Sequence, residues 1–126
     1  MIQDRSLVVV ADNTGAKIAR VFKVPGSSHK RYAEIGEVVI VSVQTAEPRK
    51  GVKKKDILKA VVVRQKKPFR RKDGSYLRFD ENAVVIIEGT GRSPQEPKAG
   101  RIFGPIPREL SELGYQTIIS RAPEVV

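Results

Sequence analysis

The chain has no cysteine and no tryptophan, and a single histidine. Without cysteine, disulfides and thiolate metal sites are excluded. The one histidine, His29, has no carboxylate or serine placed to serve it, so it makes neither an acid/base catalyst nor a metal site. Long apolar runs are also missing. The longest, at 60–63 and 83–87, are far too short to cross a bilayer. No basic-then-apolar leader opens the chain. The reading is a soluble, intracellular protein expected in the cytoplasm, with no membrane partner. Aromatics are few, at three tyrosines and four phenylalanines. That scarcity limits any mechanism that depends on stacking bases along aromatic platforms.

Positive charge, in contrast, is abundant and local. Of 24 Lys and Arg residues, 13 lie between Arg49 and Arg78, together with only two acids, Asp56 and Asp73. That window carries about the whole formal charge of +10, and the remainder is close to neutral. Charge so concentrated repels itself and marks a surface that meets a polyanion. The helical spacing of a membrane-surface segment is absent from the window, so nucleic acid is the expected partner.

A length of 126 residues suits one domain with its own core. The apolar signal comes in short blocks dominated by Val and Ile, which suit a pleated, half-buried surface. They predict strands at 6–11, 17–24, 37–45, 57–66 and 83–88. Asp12-Asn13-Thr14-Gly15 reads as the turn between the first two. Asp73-Gly74 predicts a hairpin closed by a type I′ turn, folding 69–72 against 76–80 as a basic ribbon. Several short strands at this spacing argue for a small barrel, which leaves no open sheet edge. After residue 88 the texture changes. Residues 89–100 read as a loop. Residues 107–113 read as a short helix, with Pro107 in its first turn and Gly114 past its end. Leu110 and Leu113 are expected to share its buried face. The barrel core, with the basic hairpin at 66–80, is assigned to about 1–88, and a looped, helical part to about 89–126, all within one domain.

Three basic clusters are candidate contacts. In the ribbon, Lys66, Lys67, Arg70, Arg71, Lys72 and Arg78 flank one turn, and Lys and Arg neutralise phosphates with release of counterions. Phe69, Tyr76 and Phe79, interleaved with them, are expected to pack rather than to stack on bases. A second cluster is Arg49 and Lys50 followed by Lys53, Lys54 and Lys55, in the loop between two strands. A third is His29-Lys30-Arg31. Catalytic signals are lacking. Gly89-Thr90-Gly91-Arg92-Ser93 has no Gly-Lys-Ser/Thr and runs into Pro94 and Pro97, unlike a phosphate loop. Asp80, Glu81 and Glu88 do not form an acid/base pair. No catalytic residue, cofactor, metal or small-molecule substrate is expected.

Some longer patterns are more specific. Ala60-Val61-Val62-Val63, then Asp73-Gly74, Phe79, Asn82 and Val85-Ile86, follow one another at spacings that resemble the signature of the universal large-subunit ribosomal protein L-fourteen family, bacterial type. Similar matches occur at Val10-Ala11-Asp12-Asn13-Thr14-Gly15-Ala16, His29-Lys30-Arg31-Tyr32-Ala33, Arg101-Ile102-Phe103-Gly104-Pro105, Arg108-Glu109-Leu110 and Ala122-Pro123-Glu124-Val125. They extend over essentially the whole chain.

The resemblance implies a mainly β fold: a closed five-stranded β-barrel with a projecting basic β-hairpin and one or two short C-terminal helices. It implies a structural, non-enzymatic role in the large ribosomal subunit, in contact with large-subunit ribosomal RNA. Carried over by position, Arg64, Lys66, Lys67, Arg70, Arg71 and Arg78 fall on the RNA-binding ribbon. Gln44, Thr45, Glu47, Pro48, Arg49 and Lys50 fall on a loop that bridges to small-subunit ribosomal RNA. Arg101, Ile102, Phe103, Thr117, Ser120 and Arg121 fall on a protein-contact surface where a ribosome-silencing factor docks to block subunit joining. The large-subunit proteins numbered three and nineteen are implied neighbours. This chain departs from the pattern at Thr117, where a basic residue is common, at Arg121, where an apolar one is, and at Ala99-Gly100, which replaces Gly-Thr. The rival reading from composition alone is a free single-stranded nucleic-acid-binding module on an OB-like barrel, which requires Phe69, Tyr76 and Phe79 to be exposed.

Overall fold

The computed structural model describes residues 2–3, 5–25, 31–48, 52–88 and 96–126. In chain order the strands are β1 (Ile2–Gln3), β2 (Leu7–Val10), β3 (Ala16–Lys23), β4 (Tyr32–Ala33), β5 (Val38–Ala46), β6 (Ile57–Arg64), β7 (Phe69–Arg70), β8 (Tyr76–Leu77), β9 (Ala83–Glu88), β10 (Glu96–Pro97) and β11 (Pro105–Ile106). Two short helices follow, α1 (Glu109–Glu112) and α2 (Gln116–Arg121), and then β12 (Glu124–Val125).

Five strands close on themselves. The order β9-β2-β3-β5-β6 is completed by a second pairing of β6 with β9, so the expected five-stranded barrel is present. Four of its five seams are antiparallel, and β2 runs parallel to β9. These are the five valine-rich blocks: β9 matches its expected range, β2 and β6 are each two residues shorter, and β3 and β5 are each shifted by one residue. β5 alternates between buried and half-exposed positions, as a strand with one face on the core should. β6 and β9 instead bury both faces over Ala60–Arg64 and Ala83–Ile87. Unbroken runs of Val, Ile and Ala are the sequence form of that double burial.

Residues 96–126 cover the outside of those two strands. β10 adds to β9. Lys98 N–H donates to the Ile86 carbonyl, and Phe103 N–H to that of Ala11. Ile102, Ile106, Leu110 and Ile118 are buried in the same core as the barrel valines. Each large aliphatic side chain so buried is worth roughly 1.5–3 kcal/mol. At the joint sits Asp12, itself buried. One carboxylate oxygen accepts from the Thr14 hydroxyl (2.6 Å) and Thr14 N–H (3.2 Å), and the other from Ile86 N–H (2.9 Å). One side chain thus ties the β2–β3 turn to β9. Burial raises its pKa above 3.8, and the Thr14 and Ile86 hydrogen bonds oppose the rise.

Three expectations are corrected. The 69–80 hairpin forms, but its turn is not type I′. Arg71 N–H donates to the Ser75 carbonyl and Gly74 N–H to that of Arg71, while Asp73 keeps a negative φ and Gly74 alone is left-handed, at +91°. This is a three-residue loop of type I with a glycine bulge, and Asp73 stabilises it by accepting from Ser75 N–H (2.9 Å) and Oγ (2.6 Å). Glu96 and Pro97, read as loop, pair with Glu88 and Ile87. Leu113 is exposed while Leu110 is fully buried. The helix ends at Glu112, so Leu113 leaves the helical face and its tip rests on Gly36.

Candidate nucleic-acid interface

The ribbon sorts its side chains by the period of two that a strand imposes. Arg70 pairs with Tyr76, and both are exposed. Phe69 pairs with Leu77, and both are half-buried against the core. Phe79 is buried, whereas Tyr76 is 68% exposed. The expectation that all three aromatics pack therefore holds for Phe69 and Phe79 and is corrected for Tyr76. Lys66, Lys67, Lys72 and Arg78 are exposed with Arg70. Lys72 stands 3.4 Å from Glu112, an exposed contact worth little in water.

Arg71 takes the other side. Its Nε lies 2.7 Å from a Glu109 carboxylate oxygen, and a terminal nitrogen donates to the Val126 carbonyl at 2.7 Å. Both charged side chains are largely buried. Arg71 is a strut between hairpin and C-terminal segment, which corrects its reading as an open phosphate contact. Arg64 is corrected more firmly, being only 5% exposed. Its guanidinium donates to the Phe103 (3.0 Å) and Pro105 (3.2 Å) carbonyls and meets Glu81 at 3.2 Å. Burial pulls its pKa down and Glu81 pushes back. A guanidinium so committed cannot also grip a phosphate without opening the fold.

Two polar residues not among the sequence-predicted contacts hold the root of the ribbon. Gln65 is buried, accepts from Ile35 N–H (3.2 Å) and donates to the Lys67 carbonyl (2.9 Å). The Asn82 side chain accepts from Lys66 N–H at 2.8 Å. A lone Gln at the end of a valine run looks like the first solvated residue. Only its contact with a segment 30 positions away reveals its work.

The lysine loop is similarly anchored. Val52 is buried, Asp56 accepts from Lys53 N–H at 3.0 Å, and Lys55, with φ +73°, donates its N–H to Val43. Lys53, Lys54 and Lys55 are all exposed above this base. Arg31 is exposed as well, whereas His29, Lys30, Arg49 and Lys50 lie outside the described residues. So does the stretch 89–93.

The remaining candidates converge at the C-terminal side. Arg101 N–H donates to Asn13 Oδ1 at 3.3 Å, and Ile102 N–H to the Arg121 carbonyl at 3.4 Å. The two stretches 101–103 and 117–121 are therefore adjacent. Arg101, Ser120 and Arg121 are exposed, Thr117 is half-buried and Phe103 is half-exposed. Ile102, expected on this surface, is instead core, bridging to Asp12. Arg121 also donates to the Pro97 and Ala99 carbonyls (3.3 and 2.8 Å). Gln44 and Thr45, expected on a loop, lie instead near the end of strand β5, and Glu47 and Pro48 follow it, with Glu47 N–H donating to the Gly15 carbonyl at 2.7 Å. Glu47 and Phe103 line one recess of about 390 Å³. The candidate bridge loop thus borders the candidate protein-contact surface.

The arrangement offers exposed bases on anchored backbone, with no paired catalytic groups among the side chains described. A model of the family described as ribosomal protein L14p/L23e matches residues 1–126, the whole chain.

Proposed function

The chain belongs to the ribosomal protein L14p/L23e family of structural, non-enzymatic proteins of the large ribosomal subunit, and we propose that it binds large-subunit ribosomal RNA through the outward row of its hairpin. The observation that carries this reading is the sorting of the ribbon. Lys66, Lys67, Arg70, Lys72 and Arg78 face solvent, while Arg71 turns inward to fix the hairpin in place. A row of cations on rigid backbone suits folded RNA, which is recognised by shape and phosphate position. Exposed Lys53, Lys54, Lys55 and Arg31 are assigned to RNA contact as well, with His29 and Lys30 assigned from the sequence. Exposed Tyr76 beside Arg70 can lie against an unstacked base or a ribose. With Phe69 and Phe79 packed inside, the ribbon exposes one aromatic, too few to make it the stacking platform of a free single-strand binder.

Two finer roles belong to the same reading. Residues Gln44 to Lys50 contact small-subunit ribosomal RNA when the subunits join. Arg101, Phe103, Thr117, Ser120 and Arg121 receive the silencing factor, and proteins three and nineteen of the large subunit are neighbours. Supporting the second is the adjacency of 101–103 and 117–121, which makes one surface of two distant segments.

The test is the salt dependence of binding to large-subunit ribosomal RNA. Arg70→Ala with Arg78→Ala should weaken binding and flatten the log–log salt slope by about one to two units. An unchanged slope removes the ribbon from the interface.

A further inference from the structure

The return strand of the ribbon carries a carboxylate out of place on an RNA-binding surface. From Tyr76 to Asp80 the chain alternates: Tyr76, Arg78 and Asp80 are exposed, Leu77 is half-buried and Phe79 is buried. Phe79 N–H donates to the Gln65 carbonyl at 3.2 Å, which holds this stretch against the residue that follows β6. Arg78 and Asp80 therefore lie on one face, about 7 Å apart along an extended chain. Both line a cleft of about 380 Å³, whose other walls are Arg64, Phe79, Glu81 and Pro105. That volume falls within the range of small-ligand clefts, roughly 300–1,000 Å³.

The polar groups of the cleft divide into spent and unspent. Arg64 holds Glu81 at 3.2 Å and donates to the Phe103 and Pro105 carbonyls. Arg78 and Asp80 make no side-chain hydrogen bond or ion pair among the described residues. A donor fork and a pair of acceptor oxygens thus stand side by side, open to a ligand. Near exposed Lys66, Lys67 and Arg70, a free carboxylate repels the phosphates that these bases attract. It gains a use only where the RNA presents donors. Adenine and cytosine offer it one amino group, uracil one N–H and a ribose one hydroxyl. Guanine alone presents two parallel donors, N1–H and the 2-amino group, with acceptors O6 and N7 on the adjoining edge. Arginine pairs with O6 and N7 as a fork. Unpaired RNA bases are read along these two edges.

We propose that this cleft reads an unpaired guanine of ribosomal RNA. Asp80 accepts from N1–H and the 2-amino group, Arg78 donates to O6 and N7, and Pro105 borders the ring. The inference rests on the hairpin as the RNA contact and adds to it the selection of one base.

Kethoxal modifies N1 and N2 of unpaired guanine, the edge assigned to Asp80. The test treats large-subunit ribosomal RNA with kethoxal in the presence of excess protein. The wild-type chain should protect a guanine that becomes about tenfold more reactive with Asp80→Ala, while the rest of the footprint reports that the RNA is occupied. Changing that guanine to adenine in transcribed RNA should weaken wild-type binding about tenfold and add no further loss to Asp80→Ala. A carboxylate without this role would, on removal, only tighten binding. An occupied RNA with no Asp80-dependent guanine overturns the proposal. If Asp80→Ala loses its whole footprint, the base change decides, and wild-type binding indifferent to it overturns the proposal too. The salt slope reports the hairpin separately. A slope unmoved by Arg70→Ala with Arg78→Ala removes the ribbon as well, whereas a slope that responds while no guanine depends on Asp80 removes this inference alone.

Discussion

Asp12 is a single carboxylate that accepts three hydrogen bonds, all from donors. An amide in its place would turn an NH₂ toward one of them. Asp12→Asn should therefore destabilise the fold by about 1–3 kcal/mol, the usual cost of a buried unsatisfied polar group. Urea unfolding measures it. The pH dependence has a definite sign. Because the folded pKa is raised, the contribution of Asp12 is fully present below 3.8 and is lost as pH rises through the folded value. The gap between the two proteins should widen on acidification toward pH 4, and a constant gap would mean that burial does not govern this group. Gly104 makes a second case. It has φ +79°, and a Cβ there would collide with the Arg64 guanidinium. Gly104→Ala should cost more than Gly74→Ala, where φ is also positive but the space is open. Equal losses of stability would show that Arg64 yields freely.

At the scale of the element, the hairpin is fastened at two ends. Its root is held by Gln65 and Asn82, its shoulder by Arg71 on Glu109. Arg71→Ala should cost about 1.5–3 kcal/mol, as loss of one charge-assisted hydrogen bond and one ion pair in a largely buried place. It should loosen the ribbon and α1 together, read as faster amide exchange in both, while Arg70→Ala leaves exchange unchanged. Faster exchange in the ribbon alone would separate the two elements. The tip responds to acid. Ser75 hydrogen bonds hold the Asp73 pKa below 3.8, so that brace is present above 3.8 and lost as pH falls through the lower folded value. Ser75 amide exchange should accelerate in that window and stay flat in Asp73→Ala. The five barrel strands were legible in the sequence because Val and Ile blocks encode burial directly. The turn was misread because Asp-Gly serves both type I′ and glycine-bulge loops, and the choice depends on pairing between Arg71 and Ser75. Charge likewise revealed where the ribbon lies but not which bases it spends internally. Arg64 and Arg71 look like their neighbours until carbonyls and carboxylates from beyond residue 100 reach them.

Across the whole molecule, charge and chemistry are divided among faces. The ribbon and lysine loop carry the cations, and residues 101–121 build a separate surface. Double charge reversal at the proposed bridge residues, Arg49→Glu with Lys50→Glu, should leave large-subunit assembly mostly intact and weaken subunit joining at low Mg²⁺. Normal joining would remove the loop from the bridge. The closure of the barrel has a consequence for how the chain comes into being. β2, β3, β5 and β6 can pair in the order they are synthesised, but the seam between β2 and β6 is filled only by β9, the last barrel strand. Until residue 88 leaves the ribosome that makes it, a nascent copy presents two open valine-rich edges, each a template for mispairing. Its vulnerability to chaperones, proteases and aggregation is therefore concentrated in the interval before that strand emerges, and it ends when the strand inserts.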